Sequence, residues 1–237
     1  MTIKLKLFSI LFASLITLSI NALADDFPKQ FTVQYDLLHS AAKVGEIKVD
    51  YKQEKNNYLL NVEIKGQGIL SLMGNRNLVS EGKIIDQFFL PSKFEHRNNK
   101  RPKKNIEATF FYDNNLIISN YKGRKIEKEL ISGTLDLAIY LFQFNLIESK
   151  KEIYRFEVFQ GKKVRTYEYK KIKDDFIDLN KKIVGTELYE GKIIGREKSN
   201  HQVWISKNNY RIPVKLTIPT DIGLIINQVL VSTNLPL

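Results

Sequence analysis

Apolar residues fall in short runs rich in Val, Ile, Tyr and Phe, separated by turns containing Asn, Gly or Asp. This is the pattern of a meandering antiparallel sheet. Such runs recur from residues 31–38 to residues 224–232. Residues 106–112 and 116–121 flank Asp113-Asn114-Asn115, and residues 152–159 and 164–172 flank Gln160-Gly161-Lys162, so each pair reads as a hairpin. Residues 135–147 break the rhythm, because they are apolar nearly all round and long for a strand. Ser132 or Thr134 can cap this segment, and Asp136 suits the start of a helix dipole. The pattern therefore predicts one substantial helix, apolar on every face and buried on more than one side. The expected fold is mainly β. It is a curled antiparallel sheet, a half-barrel or open barrel of about 12 strands, wrapped around that helix.

The N-terminus carries a different message. Lys4 and Lys6 precede an apolar, uncharged run over residues 7–18, and Ala22-Leu23-Ala24 is followed by Asp25 and Asp26. These are the three parts of a cleaved secretory signal. The apolar run is shorter than the roughly 20 residues that span a bilayer. Residues 1–24 are thus expected to be a signal peptide and residues 25–237 a single β-rich envelope domain, periplasmic and without a transmembrane anchor after cleavage. The sequence has no Cys. That excludes disulfides, thiolate nucleophiles and Cys-ligated metals, and leaves the fold to stand on its core alone.

Charge narrows the partners. The formal net charge is +11, and removal of Lys4 and Lys6 leaves +9. Lysine outnumbers arginine 29 to 8, which reads partly as codon bias. An exported cation would meet anionic lipid, lipopolysaccharide or acidic glycan. The densest basic run, Lys93, Arg97, Lys100, Arg101, Lys103 and Lys104, contains Asn98-Asn99 and Pro102, so it reads as a solvated loop. Nucleic acid is not expected as a partner.

Catalytic signals are missing from the sequence. His39, His96 and His201 are far apart and read as surface or capping residues, and no nucleotide-binding, zinc-protease or serine-hydrolase motif occurs. Asp174-Asp175 and Asp178, flanked by lysines, read as a solvated turn. The expectation is no catalytic residue, no metal and no cofactor. Two constellations stand out instead. Apolar Ile69, Leu70, Leu72 and Met73 follow Gly66 and Gly68 and lead to Arg76, forming a candidate flexible lip for a greasy ligand. Trp204 lies in a late hairpin with Arg211-Ile212-Pro213-Val214, and Pro213 marks an edge or a bulge. The candidate ligand-binding residues are Leu70, Leu72, Met73, Arg76, Phe142 and Trp204.

In sequence order, the chain carries Tyr35 with Lys43-Val44-Gly45, Leu70-Ser71-Leu72-Met73-Gly74-Asn75-Arg76 leading to Ser80-Glu81-Gly82, then Pro91. Thr134-Leu135-Asp136-Leu137 follows, and Val203-Trp204-Ile205 runs to Arg211-Ile212-Pro213-Val214. In these features it resembles the bacterial exported family known as domain of unknown function 3108. The resemblance implies an exported β-rich envelope protein and supplies no catalytic residues. Three functions compete. The first is a non-enzymatic periplasmic protein that binds or carries a lipid or other amphiphile with an anionic head. The second is a structural or assembly factor that binds another envelope protein through a sheet edge. The third, a hydrolase of envelope polymers, has the least support.

Overall fold

The computed structural model describes residues 27–147, 151–196, 199–208, 210–220 and 223–237. The expected signal over residues 1–24 lies outside them. Fifteen strands form one sheet. The first eight are β1 (Gln30–His39), β2 (Ala42–Glu54), β3 (Asn57–Gly66), β4 (Arg76–Ile85), β5 (Phe88–Asn98), β6 (Ile106–Phe111), β7 (Leu116–Tyr121) and β8 (Arg124–Glu129). The rest are β9 (Leu135–Asp136), β10 (Ile153–Phe159), β11 (Val164–Leu179), β12 (Lys182–Ile193), β13 (His201–Ser206), β14 (Pro213–Pro219) and β15 (Ile225–Thr233). Alternation drives the pairing. In β1, Phe31, Val33, Tyr35 and Leu37 are buried while the residues between them are not. On β2 they meet Tyr51, Val49, Ile47 and Gly45 respectively.

β1 sits near the middle of the sheet. From it the chain meanders outward through β2 to β8, then crosses to the opposite edge at β9 and meanders back through β10 to β15, which pairs with β1. Only residues 130–134 connect the two outer edges. Five residues reach less than about 18 Å, so the sheet has to curl. It does not close, because β8 pairs only with β7 and β9 only with β10. Instead one edge tucks against the inner face of the other. Phe110 of β6 meets Phe159 of β10 edge-on at 5.8 Å. Ser119 Oγ donates to the Gly161 carbonyl at 2.8 Å. Gly161 has φ +89°, and a Cβ there would lie 2.4 Å from the Ile106 side chain, so glycine is required on both counts.

The strand count is 15 rather than about 12, and one of the added strands is residues 135–136, which pair with β10 where a helix is expected. The larger departure is the helix. In place of one helix over residues 135–147 there is β9, a 3₁₀ turn at Tyr140–Phe142 and a single α turn, α1 (Gln143–Leu146). Parallel pairing of Leu135 with Val158 and of Asp136 with Phe159 captures the first residues for the sheet. The segment still fills the curl. Phe142 packs on Phe31 at 5.6 Å, beside the Phe27, Tyr51, Tyr58 and Phe89 rings. Phe144 meets Tyr154, Phe156, Tyr169 and Tyr189 at 5.1–5.4 Å. Tertiary packing, not local helix propensity, decides this segment's path.

Candidate functional site

Three polar constellations punctuate the aromatic interior and its rim. The first holds the start of the segment that fills the curl, residues 135–147, here called the plug. Asp136 is fully buried, and its Oδ1 accepts from the Ala138 and Ile139 amides at 2.8 and 3.2 Å. It thereby caps the turn itself, in place of Ser132 or Thr134; Thr134 Oγ1 donates to the Ile131 carbonyl. Asp136 Oδ2 accepts from Ser80 Oγ, which lies 3.0 Å from the Tyr58 hydroxyl. Burial pushes the Asp136 carboxyl up to about 7, against the hydrogen bonds from Ser80, Ala138 and Ile139. Both of its oxygens are engaged within the protein, so its chemistry is structural.

The second constellation holds the end of the plug. Arg211 Nη1 donates to the carbonyls of Phe144 and Ile147, satisfying groups that a helix end leaves free. Its Nη2 donates to Glu187 Oε2 at 2.7 Å and to the Tyr189 hydroxyl. Lys171 bonds the other Glu187 oxygen at 2.7 Å. Burial raises the Glu187 carboxyl, but donors from Lys171, Arg211 and Tyr189 outweigh it and hold the group below the usual range. Gln143 adds a clasp between these two constellations: Oε1 accepts from the Phe89 amide and Nε2 donates to the Gln87 carbonyl.

The third lies at the rim. The apolar lip is a 3₁₀ helix, Gly68–Met73. Leu70 is buried, Met73 packs on the core, and Leu72 is 69% exposed. Arg76 follows at the start of β4, paired with Asn98 of β5 and on the face that carries Leu78 and Ser80 inward. Asn98 ties the lip to the basic loop: Nδ2 donates to the Met73 carbonyl, while Oδ1 accepts from the Lys100 and Arg101 amides. His96 shares this face, opposite Leu78, and its buried Nε2 has no hydrogen-bond partner. Burial lowers the His96 pKa, and the Arg76 charge lowers it further. A groove of about 420 Å³ beside Arg76 is lined by Ile64, Asn98 and Asn105 and by the charged Glu63, Lys65 and Arg97, among others.

The six candidate residues therefore do not converge. Leu70, Leu72, Met73 and Arg76 gather at the rim. Phe142 is inside the curl. Trp204 is on β13, where Nε1 donates to Asp175 Oδ2 at 3.0 Å and Lys215 lies 4.5 Å over the ring. No ion pair joins Arg76 to Glu81 among the described residues; five positions along one strand place them on opposite faces. The roles of His96, Asn98 and Glu187, the Ser80 partner of Asp136 and the Glu187 partner of Arg211 emerge only from long-range pairing. His201, read as a surface or capping residue, is buried and lies 2.9 Å from the Tyr169 hydroxyl. Among the described residues, no group of three or more His, Asp or Glu is arranged to hold a metal ion.

Residues 30–230 match the model of DUF3108, a protein family of unknown function. No curated protein matches the chain. Among solved structures, the chain is similar to a beta-barrel-like protein of domain of unknown function DUF1849 from Brucella abortus. The TM-score is 0.60 and the identity 11%, and the match covers 87% of this chain and 98% of that one. Identity this low speaks for the fold alone.

Proposed function

The chain belongs to the DUF3108 family of proteins of unknown function, and from that premise we propose a non-enzymatic, exported envelope protein that works from its outer surface. It takes an extended segment of another envelope protein onto the free edge of β8. The observation that carries this reading is the occupied interior: the plug and its aromatic neighbours fill the space a carried ligand would need. The two edges of the sheet also differ. β9 is two buried residues, whereas β8 is six residues, nearly all exposed, with β7 on one side only. Arg124, Lys125, Glu127, Lys128 and Glu129 guard that edge against indiscriminate pairing and select a partner of complementary charge.

A photo-crosslinker placed at Lys128, with a second at Lys48 on β2 as control, tests the reading in the native envelope. Capture of a protein from position 128 and not from 48 supports it. Equal capture from both, or none from 128, overturns it.

A second reading is binding of an amphiphile with an anionic head, and one observation favours it. Leu72 and Ile69 are exposed beside the Arg76 rim. Binding of a fluorescent anionic lipid that survives high salt and is weakened by Leu72→Ser supports this reading; no binding at any salt removes it.

A further inference from the structure

We propose that the rim around Arg76 is a binding site for a phosphate-type oxyanion, free or carried as a lipid headgroup, with the Arg76 guanidinium as its main ligand. The arginines of this chain differ in how they are satisfied. Arg211 engages two carbonyls, a carboxylate and a hydroxyl; Arg97 reaches Glu95 and Glu107; Arg155 reaches Glu168. Arg76 is half-buried, yet among the described residues its side chain makes no hydrogen bond or ion pair. A guanidinium has five N–H donors and does not give up its charge. Withdrawing it from water without an acceptor is unfavourable.

Its neighbours make matters worse for the cation and better for an anion. Burial lowers the Arg76 pKa, and the Arg101 charge adds to the effect. His96 lies one inward position further along the pairing of β4 with β5, and its unpartnered Nε2 can donate as a neutral tautomer. Asn98 fixes the relation of these parts by holding the backbone of residues 100–101 and the Met73 carbonyl at once. A tetrahedral oxyanion can accept from several directions, which suits a fork, a ring N–H and a second cation better than a planar carboxylate does.

Thermal melts and titration calorimetry with inorganic phosphate, at constant low ionic strength, test the site. Saturable stabilisation of the wild type is expected, and Arg76→Ala weakens phosphate binding about tenfold or more, as loss of a charge-assisted donor does. Arg76→Lys falls between, because an ammonium keeps the charge and loses the fork. His96→Ala weakens binding severalfold, and Arg155→Ala, whose partner is the Glu168 carboxylate away from the groove, leaves it within twofold. General salting by phosphate would act equally on all four variants. In phosphate-free buffer Arg76→Ala should melt no lower than wild type, since it removes an unpaired cation. A lower melt there, with an unchanged phosphate response, makes Arg76 a packing residue and overturns the site. So does a wild type that shows no saturable response. Sedimentation with phosphatidylcholine vesicles, with and without phosphatidic acid, separates the sources. Co-sedimentation only with phosphatidic acid, competed by phosphate, identifies a lipid headgroup; a saturable melt without co-sedimentation identifies free phosphate.

Discussion

Ser80 donates to Asp136 across 2.6 Å, although 56 residues separate them in the chain. The bond pins the start of the plug to the inner face of β4, on the far side of an open seam. Burial, working against this bond, makes the carboxyl answerable to pH. Asp136 has its folded pKa raised to about 7 from an ordinary 3.8. A raised carboxyl contributes stability that is full below the unfolded value and is lost as pH climbs through the folded one. Asp136→Asn keeps the acceptor for the two amides and removes the titration. The variant should gain on wild type as pH rises from 4 to 7, by roughly 4 kcal/mol at most. Urea midpoints of both proteins across that range check it; parallel curves would mean the carboxyl is not buried in solution.

Arg211 and Glu187 present the opposite case, a pair whose loss strands a charge. Arg211→Met leaves Glu187, with a side chain only 6% exposed, with Lys171 as its one remaining cation and the Tyr189 hydroxyl as its other donor. It also frees the carbonyls at residues 144 and 147. Destabilisation of about 3–5 kcal/mol is expected. Arg211→Lys should recover little of it, because one ammonium cannot reach all four acceptors.

Plug and lip should respond differently to truncation. Phe142→Ala and Phe144→Ala each remove a ring from a closed aromatic cluster and should cost about 3–5 kcal/mol in denaturant melts. Leu72→Ser, on an exposed turn, should stay within about 0.5 kcal/mol of wild type. Equal losses in all three would mean the lip is part of the core.

Trp204 is the single tryptophan and reports on its own carboxylate. Its indole N–H, with the Phe176 amide and Lys173, holds the Asp175 pKa below the ordinary value. The emission of Trp204 should therefore shift at a pH below the usual aspartate range, and Asp175→Asn should abolish that transition. A transition unchanged in Asp175→Asn would assign it to another group.

The strands were legible because their information is local. Phe31, Val33, Tyr35 and Leu37 state their own inward face, and Asp113-Asn114-Asn115 states its own turn; Asn115 has φ 48°. The plug was legible as buried, since an all-apolar segment has nowhere else to go, but its shape was not. Whether Leu135 begins a helix or a strand depends on Val158, a partner 23 positions away. The rim site divides in the same way. Arg76 stood out beside a run of apolar residues. His96 and Asn98 carry no signal until the pairing of β4 with β5 sets them on the same face.

The central pairing of β1 with β15 carries a temporal consequence. Among the described residues, the first strand takes the last as a neighbour, from Val33 with Thr233 to Leu38 with Asn227. The two halves of the meander can form early, but their union waits for the final residues, and so long a separation between partners slows folding. Truncation before residue 225 would leave two half-sheets with no common strand pair. Conversely, a circular permutant opened at residues 130–134, with the present ends of the described chain linked, would keep every strand pairing. It would also turn the sheet into one uninterrupted meander from β9 to β8, in which every strand pairs with its neighbour in sequence.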